Sequence, residues 1–154
     1  MAKLINRSKP VELLLVEDNA EDAELTIETL RGGSIRGLRG LRVHHVEDGE
    51  QAMAFLGREG RYADAPLPDL ILLDLHLPRM NGHEVLADLK EDEALRLIPV
   101  VLMTGFDTDE AISAAYGRHA NCCVHKPSDL DEFAAAVKEI ETFWLRVARR
   151  PRES

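Results

Sequence analysis

The chain predicts an α/β domain: a doubly wound, five-stranded parallel sheet with five helices. Three observations carry that expectation. Short apolar runs rich in Val, Leu and Ile recur at 11–16 (VELLLV), 70–73 (LILL) and 99–103 (PVVLM). Helix-period stretches separate them. These runs end on Glu17-Asp18, Asp74 and Thr104, and a fourth, 122–125 (CCVH), ends on Lys126-Pro127. In a parallel sheet the carboxyl ends of the strands share one edge, and ligands sit in the crevice outside it.

The first strand is Val11 to Val16. The helix after it carries Ala20, Ala23, Ile27 and Leu30 at spacings of three and four, one apolar stripe. The second strand is Leu41 to Val46, and the second helix follows Asp48-Gly49 with Ala52, Phe55 and Leu56 facing inward. The third strand is Leu70 to Leu73. The third helix starts near Gly82 and turns Val85, Leu86 and Leu89 to the sheet. Val100 to Met103 is the fourth strand; Asp109 to Arg118, poor in large apolar residues, is the fourth helix. Asn121 to His125 is the fifth strand. Ser128, with Asp131 three residues on, resembles a capping box for the fifth helix. Its stripe is Leu130, Phe133, Ala134, Val137, Ile140, Trp144 and Val147, roughly five turns. Right-handed crossovers give the flavodoxin-like strand order 2-1-3-4-5, so Glu17, Asp18 and Asp74 line the point where the winding reverses.

One domain accounts for all 154 residues: a flexible 1–10, a folded 11–147 and a frayed 148–154. The hydrophobic fraction of 45% with only 5% aromatic requires an aliphatic core. A formal charge of −9 argues against a nucleic-acid partner, which needs a basic face, and suits carboxylates gathered around a cation. No apolar run approaches the ~20 residues of a membrane span, and the basic start lacks the apolar core of an export signal. A cytoplasmic protein with no membrane contact is the expectation. Cys122 and Cys123 are adjacent in one strand, where a disulfide would be strained, so both are read as reduced buried thiols. Gly32 to Gly40 (GGSIRGLRG) lacks the Lys-Ser/Thr of a phosphate loop and joins a helix to a strand, at the wrong edge of the sheet; it is read as a surface loop.

Three convergent carboxylates repel one another and need a compensating cation. A hard divalent ion with oxygen ligands fits, and Mg²⁺ is the most available. Asp74 and Asp18 could ligate it directly, Glu17 through water, and the His76 backbone carbonyl would complete the protein's share. An aspartate beside such an ion can attack phosphorus and become an acyl phosphate. Lys126 and the ion would neutralise charge on the phosphoryl oxygens, with a hydrogen bond from Thr104. Singly, each residue reads as a turn, a cap or a loop start; together, at the ends of the correct strands, they read as a site. The six histidines lack zinc-ligand spacing and are read as rim or solvent-facing.

Residues 11–147 resemble the receiver domain of two-component response regulators. The resemblance rests on Glu17-Asp18, Asp74 with Pro78 and Gly82 (DLHLPRMNG), Thr104 and Lys126-Pro127. Asp74 to Thr104 spans 30 residues and Thr104 to Lys126 spans 22, as in that family. It implies that Asp74 is the phosphoacceptor and that Glu17 and Asp18 are the Mg²⁺ acids. It further implies that Thr104, followed by Gly105, is the switch hydroxyl and that Lys126 pairs with the phosphate. The extended region before strand 2 and the ending EIETFWLRV are similar to stand-alone receivers serving phytochrome-type histidine kinases; another sensor kinase or a phosphorelay is the alternative. One position departs from the pattern: three residues before Lys126, where receivers place Tyr or Phe, stands Cys123.

Two other classes compete. A haloacid-dehalogenase-type phosphatase wants an acid two residues after its nucleophile, and His76 stands there; it also needs a cap insert for which no sequence is spare. A degenerate receiver acting only as a binding module is opposed by the intact Glu17, Asp18, Asp74, Thr104 and Lys126. The expectation is a signalling switch, not a metabolic enzyme, that loses phosphate by slow self-hydrolysis. No DNA-binding segment follows helix 5, so output must be a protein contact, a relay or dimerisation. Phe143 and Trp144, about 100° apart on a helix, cannot both face the sheet, which makes them a candidate homodimer surface.

Overall fold

The computed structural model describes residues 10–32, 40–105, 109–117 and 120–147. The expected flexible start (bar Pro10), most of the glycine-rich loop, His119 and the expected frayed tail lie outside them. Strands β1 (Val11–Val16), β2 (Leu41–Val46), β3 (Leu70–Asp74), β4 (Val100–Thr104) and β5 (Cys122–His125) form one sheet in the order 2-1-3-4-5. All four pairings are parallel. The helices are α1 (Ala20–Gly32), α2 (Gly49–Leu56), α3 (Gly82–Glu91), α4 (Asp109–Gly117) and α5 (Leu130–Glu141).

Strand alternation sorts the core into two layers. Leu14, Val16, Ile71, Leu73, Val100 and Leu102 face α2, α3 and α4, packing on Phe55, Leu86, Leu89 and Ala115. Leu13, Leu15, Leu70, Leu72, Val101 and Met103 face α1 and α5, packing on Leu30, Phe133, Val137 and Ile140. Both faces of the central strands are covered, which is why they read as unbroken apolar runs. Each fully buried aliphatic side chain contributes about 1.5–3 kcal/mol to folding.

The structure corrects several details. β3 and β4 each run one residue further than expected and take Asp74 and Thr104 into the ladder. β5 starts at Cys122, one residue later than expected; just before it the Asn121 Oδ1 accepts from the Val100 N–H at 2.8 Å. Asp129, not Ser128, caps α5, accepting from the Glu132 N–H at 3.0 Å. Leu130 is therefore the first helical residue, and it is 63% exposed instead of joining the stripe. Ala20 likewise starts α1 and is exposed; Thr26 is buried on that helix, its hydroxyl bonded back to the Asp22 carbonyl at 2.7 Å. The last expected turns of α5 are a π-helix over Thr142–Val147. The wider turn brings Leu145, five residues after Ile140, into the core. A short 3₁₀ turn, Gly60–Tyr62, was not anticipated; Tyr62 packs edge-on to Phe55 at 5.4 Å.

Candidate functional site

At the carboxyl edge of the sheet the strand ends are stitched by backbone bonds. Glu17 N–H donates to the Val46 carbonyl at 3.0 Å, Leu75 to Met103 at 3.1 Å and Lys126 to Thr104 at 2.8 Å. Glu17 and Asp74 are buried, and Asp18, one residue on from Glu17, is exposed. Backbone donors orient both buried acids: Asn19 N–H reaches Glu17 Oε2 at 3.1 Å, and His76 N–H reaches Asp74 Oδ1 at 3.0 Å. The remaining oxygens take the Lys126 ammonium, at 2.7 Å from Glu17 Oε1 and 3.1 Å from Asp74 Oδ2.

Gly82 is needed here for a steric reason. A Cβ at that position would lie 2.6 Å from the Asp74 carbonyl oxygen and 2.8 Å from the Leu75 Cα. The start of α3 therefore packs directly on the backbone of the central acid. Asn81 caps that helix in a reciprocal box with Glu84.

The electrostatics point to a site short of positive charge. Burial pushes the Glu17 carboxyl up to about 8; its hydrogen bond and charge repulsion with Asp74 add to the shift, and Lys126 opposes it. Burial alone would lower the Lys126 ammonium, but contacts with Asp22 and Glu17 and the charge of Asp74 hold it above its ordinary value. One cation among these acids leaves Glu17 favouring its proton. Glu17, Asp18 and Asp74 can each bring one oxygen within 4.8 Å of the others, a donor set suited to a hard divalent cation.

The expected residues converge for the most part. Asp74, His76, Gly105 and Lys126 line one open depression with Asp22 and Leu130. Thr104 is buried at the end of β4, in register with His125. Cys123 is half-buried against the α2–α4 layer, and its N–H donates to the Tyr116 hydroxyl of α4 at 3.2 Å. Both cysteines are free thiols, as expected, but half-buried; burial raises both above the ordinary thiol value, and Cys122 adds to the shift at Cys123.

Phe143 and Trp144 diverge. Phe143 is 51% exposed, while Trp144 is partly buried against the α1–α5 layer, and the rings meet edge-on at 5.4 Å. Not every histidine is solvent-facing: His83 is half-buried, and His44 packs on Phe55 at 5.3 Å with its Nε2 2.7 Å from Glu12 Oε1.

Sequence reasoning missed Asp22, whose Oδ2 lies 2.9 Å from the Lys126 ammonium. No signal in the local sequence separates it from the other acids of α1, Glu21, Glu24 and Glu28. It also missed the ion pair from Arg79 to the buried Asp48, at 2.8 Å.

Residues 13–138 match the response regulator receiver domain family. Response regulator Rcp1 of Synechocystis sp. is 39% identical over 142 residues, covering 92% of this chain and 94% of that protein. The probable methanogenesis regulatory protein FilR2 of Methanothrix harundinacea is 35% identical, with 96% and 92% covered. The solved structure of the phosphorylated cyanobacterial phytochrome response regulator RcpA superposes with a TM-score of 0.87 at 42% identity, covering 93% and 99%. The Mn(2+)-bound form of Rcp1 gives 0.86 at 39% identity, covering 92% and 99%. Among the described residues no helix is long and apolar enough to cross a membrane.

Proposed function

Because the chain belongs to the response regulator receiver family, related to phytochrome response regulators, we propose that Asp74 accepts a phosphoryl group from a phytochrome-type histidine kinase. One observation carries the assignment: of the converging acids Glu17, Asp18 and Asp74, it is Asp74 that lines the open depression, beside the Lys126 ammonium at 3.1 Å. An Asp74 oxygen forms a bond to phosphorus as the bond from phosphorus to the kinase imidazole breaks, and the electron pair leaves with the imidazole. Lys126 pairs with the negative phosphoryl oxygens, and the Thr104 hydroxyl donates to one of them.

The divalent ion would be Mg²⁺, held by Asp18, Asp74 and the His76 carbonyl, with Glu17 acting through water; it would supply neutralising charge to the phosphoryl oxygens. The Mn(2+)-bound form of Rcp1 and the convergence of the Glu17, Asp18 and Asp74 oxygens both support a divalent ion here. The protein works as a switch, not as a metabolic catalyst, and resets by slow self-hydrolysis. It acts in the cytoplasm through protein contacts that include a homodimer.

Intact-mass spectrometry after incubation with acetyl phosphate and Mg²⁺ tests the assignment. The expected result is one added phosphoryl group, absent in Asp74→Asn and abolished by EDTA. Undiminished labelling of Asp74→Asn would overturn it.

A further inference from the structure

Lys126 has three carboxylates around it, and the third has no part in the receiver resemblance. Glu17, Asp74 and Lys126 all fall on the strand phase that faces α1 and α5, continuing the alternation of Leu13, Leu15, Leu70 and Leu72. Asp22 stands in the first turn of α1, on that same side. Its Oδ2 is 2.9 Å from the ammonium, against 2.7 Å for Glu17 and 3.1 Å for Asp74. An ammonium has three donors, and three acidic oxygens surround this one.

The three partners are not equal in exposure. The Asp22 side chain is 24% exposed, that of Glu17 5% and that of Asp74 9%. Releasing a partly exposed carboxylate to water costs little, whereas leaving a buried one unpaired is strongly unfavourable. A phosphoryl group on Asp74 brings new anionic oxygens that compete for the same three donors. The partner that gives way most cheaply is Asp22.

We infer that Asp22 is a positioning residue that competes with the phosphoryl group for Lys126, and so weakens the phosphorylated state relative to the free one. This rests on Asp74 being the phosphoacceptor. Asp22 acts only through Lys126, and its removal frees one donor for the phosphoryl oxygens. The consequence is tighter binding of a phosphoryl mimic and a longer-lived phosphoryl group.

The test is the equilibrium affinity of the full chain for beryllofluoride in excess Mg²⁺, by calorimetry, for wild type, Asp22→Asn and Glu24→Gln. Asn is nearly isosteric with Asp at this helix-surface position, and Glu24 is an exposed acid of the same helix that removes equal charge without touching Lys126. Asp22→Asn is expected to bind about three- to tenfold more tightly, the scale of one charge-assisted hydrogen bond, with Glu24→Gln near wild type. Decay of the phosphoprotein after donor removal should slow in Asp22→Asn alone. Equal affinities in all three proteins would overturn the competition, as would equal tightening in Glu24→Gln, which would mark a general charge effect. Weaker binding in Asp22→Asn would show that Asp22 instead holds Lys126 in its productive place. If wild type takes no beryllofluoride and Asp74 takes no phosphoryl group, the phosphoacceptor reading fails with it.

Discussion

Arg79 reaches across from the loop after β3 to donate to the buried Asp48 carboxylate at 2.8 Å, with its own backbone in the left-handed region at φ 65°. The other Asp48 oxygen caps α2, accepting from the Gln51 N–H at 2.7 Å. Next to it, a Cβ on Gly49 would fall 2.0 Å from the Met80 carbonyl oxygen. The turn before α2 thus grips the loop that follows Asp74, by one ion pair and one close backbone contact.

Truncations should separate these contributions. Asp48→Ala loses both the cap and the ion pair and should destabilise by about 1–2 kcal/mol in urea unfolding. Arg79 is largely exposed but its partner is buried, so Arg79→Ala leaves the Asp48 carboxylate without its cation and should cost about 3 kcal/mol. Arg79→Gly should cost less than Arg79→Ala, because glycine adopts a positive φ without the Cβ penalty. Equal losses for the two Arg79 variants would mean that the backbone there carries no strain.

The Glu17 carboxyl sets a pH dependence. Its folded value of about 8 lies above the ordinary 4.5, so the ion-free folded state binds a proton that the unfolded chain gives up. That contribution is complete below about 4.5 and is lost as pH rises through 8. Thermal unfolding in EDTA should show a Tm falling between these limits, with a shallower slope in Glu17→Gln. Divalent-ion affinity should rise over the same range as Glu17 ionises. A Tm that climbs with pH in EDTA would contradict the raised carboxyl.

Switching should be muted around position 123. A thiol cannot fill the space a ring would vacate, and the Cys123 N–H is already held by Tyr116 of α4. Structures with and without beryllofluoride should show Thr104 moving toward Asp74, with the Tyr116–Cys123 bond kept and α4 little displaced. A large Cys123 side-chain flip with α4 shifted would refute this.

Phe143 provides the test of self-association. With Trp144 packed inside its own chain, Phe143 is the ring left on the surface. Light scattering at micromolar concentration should give about twice the monomer mass, and Phe143→Glu should reduce it without unfolding the protein, since the ring is half-exposed. A monomer at every concentration, with and without beryllofluoride, would assign the surface to a different partner protein.

The strand order, the two core layers and the meeting of Glu17, Asp74, Thr104 and Lys126 at one edge were legible in the residues alone. Period-two alternation and the geometry of parallel crossovers leave few other ways to bury those apolar runs. Local chemistry also placed the α5 cap to within one residue: Ser128 and Asp129 are neighbours, and only the backbone chose between them. What the tertiary structure alone decided were contacts between distant elements. Asp22 meets Lys126 across 104 positions, and Asp48 meets Arg79 across 31. Nothing in local sequence marks a half-buried acid in the first turn of a helix as a partner of a distant lysine. The contact follows from how closely α1 packs on the sheet. The π-turn that buries Leu145 is of the same kind: a TFWLRV segment reads as ordinary α-helix until the core it must cover fixes the winding.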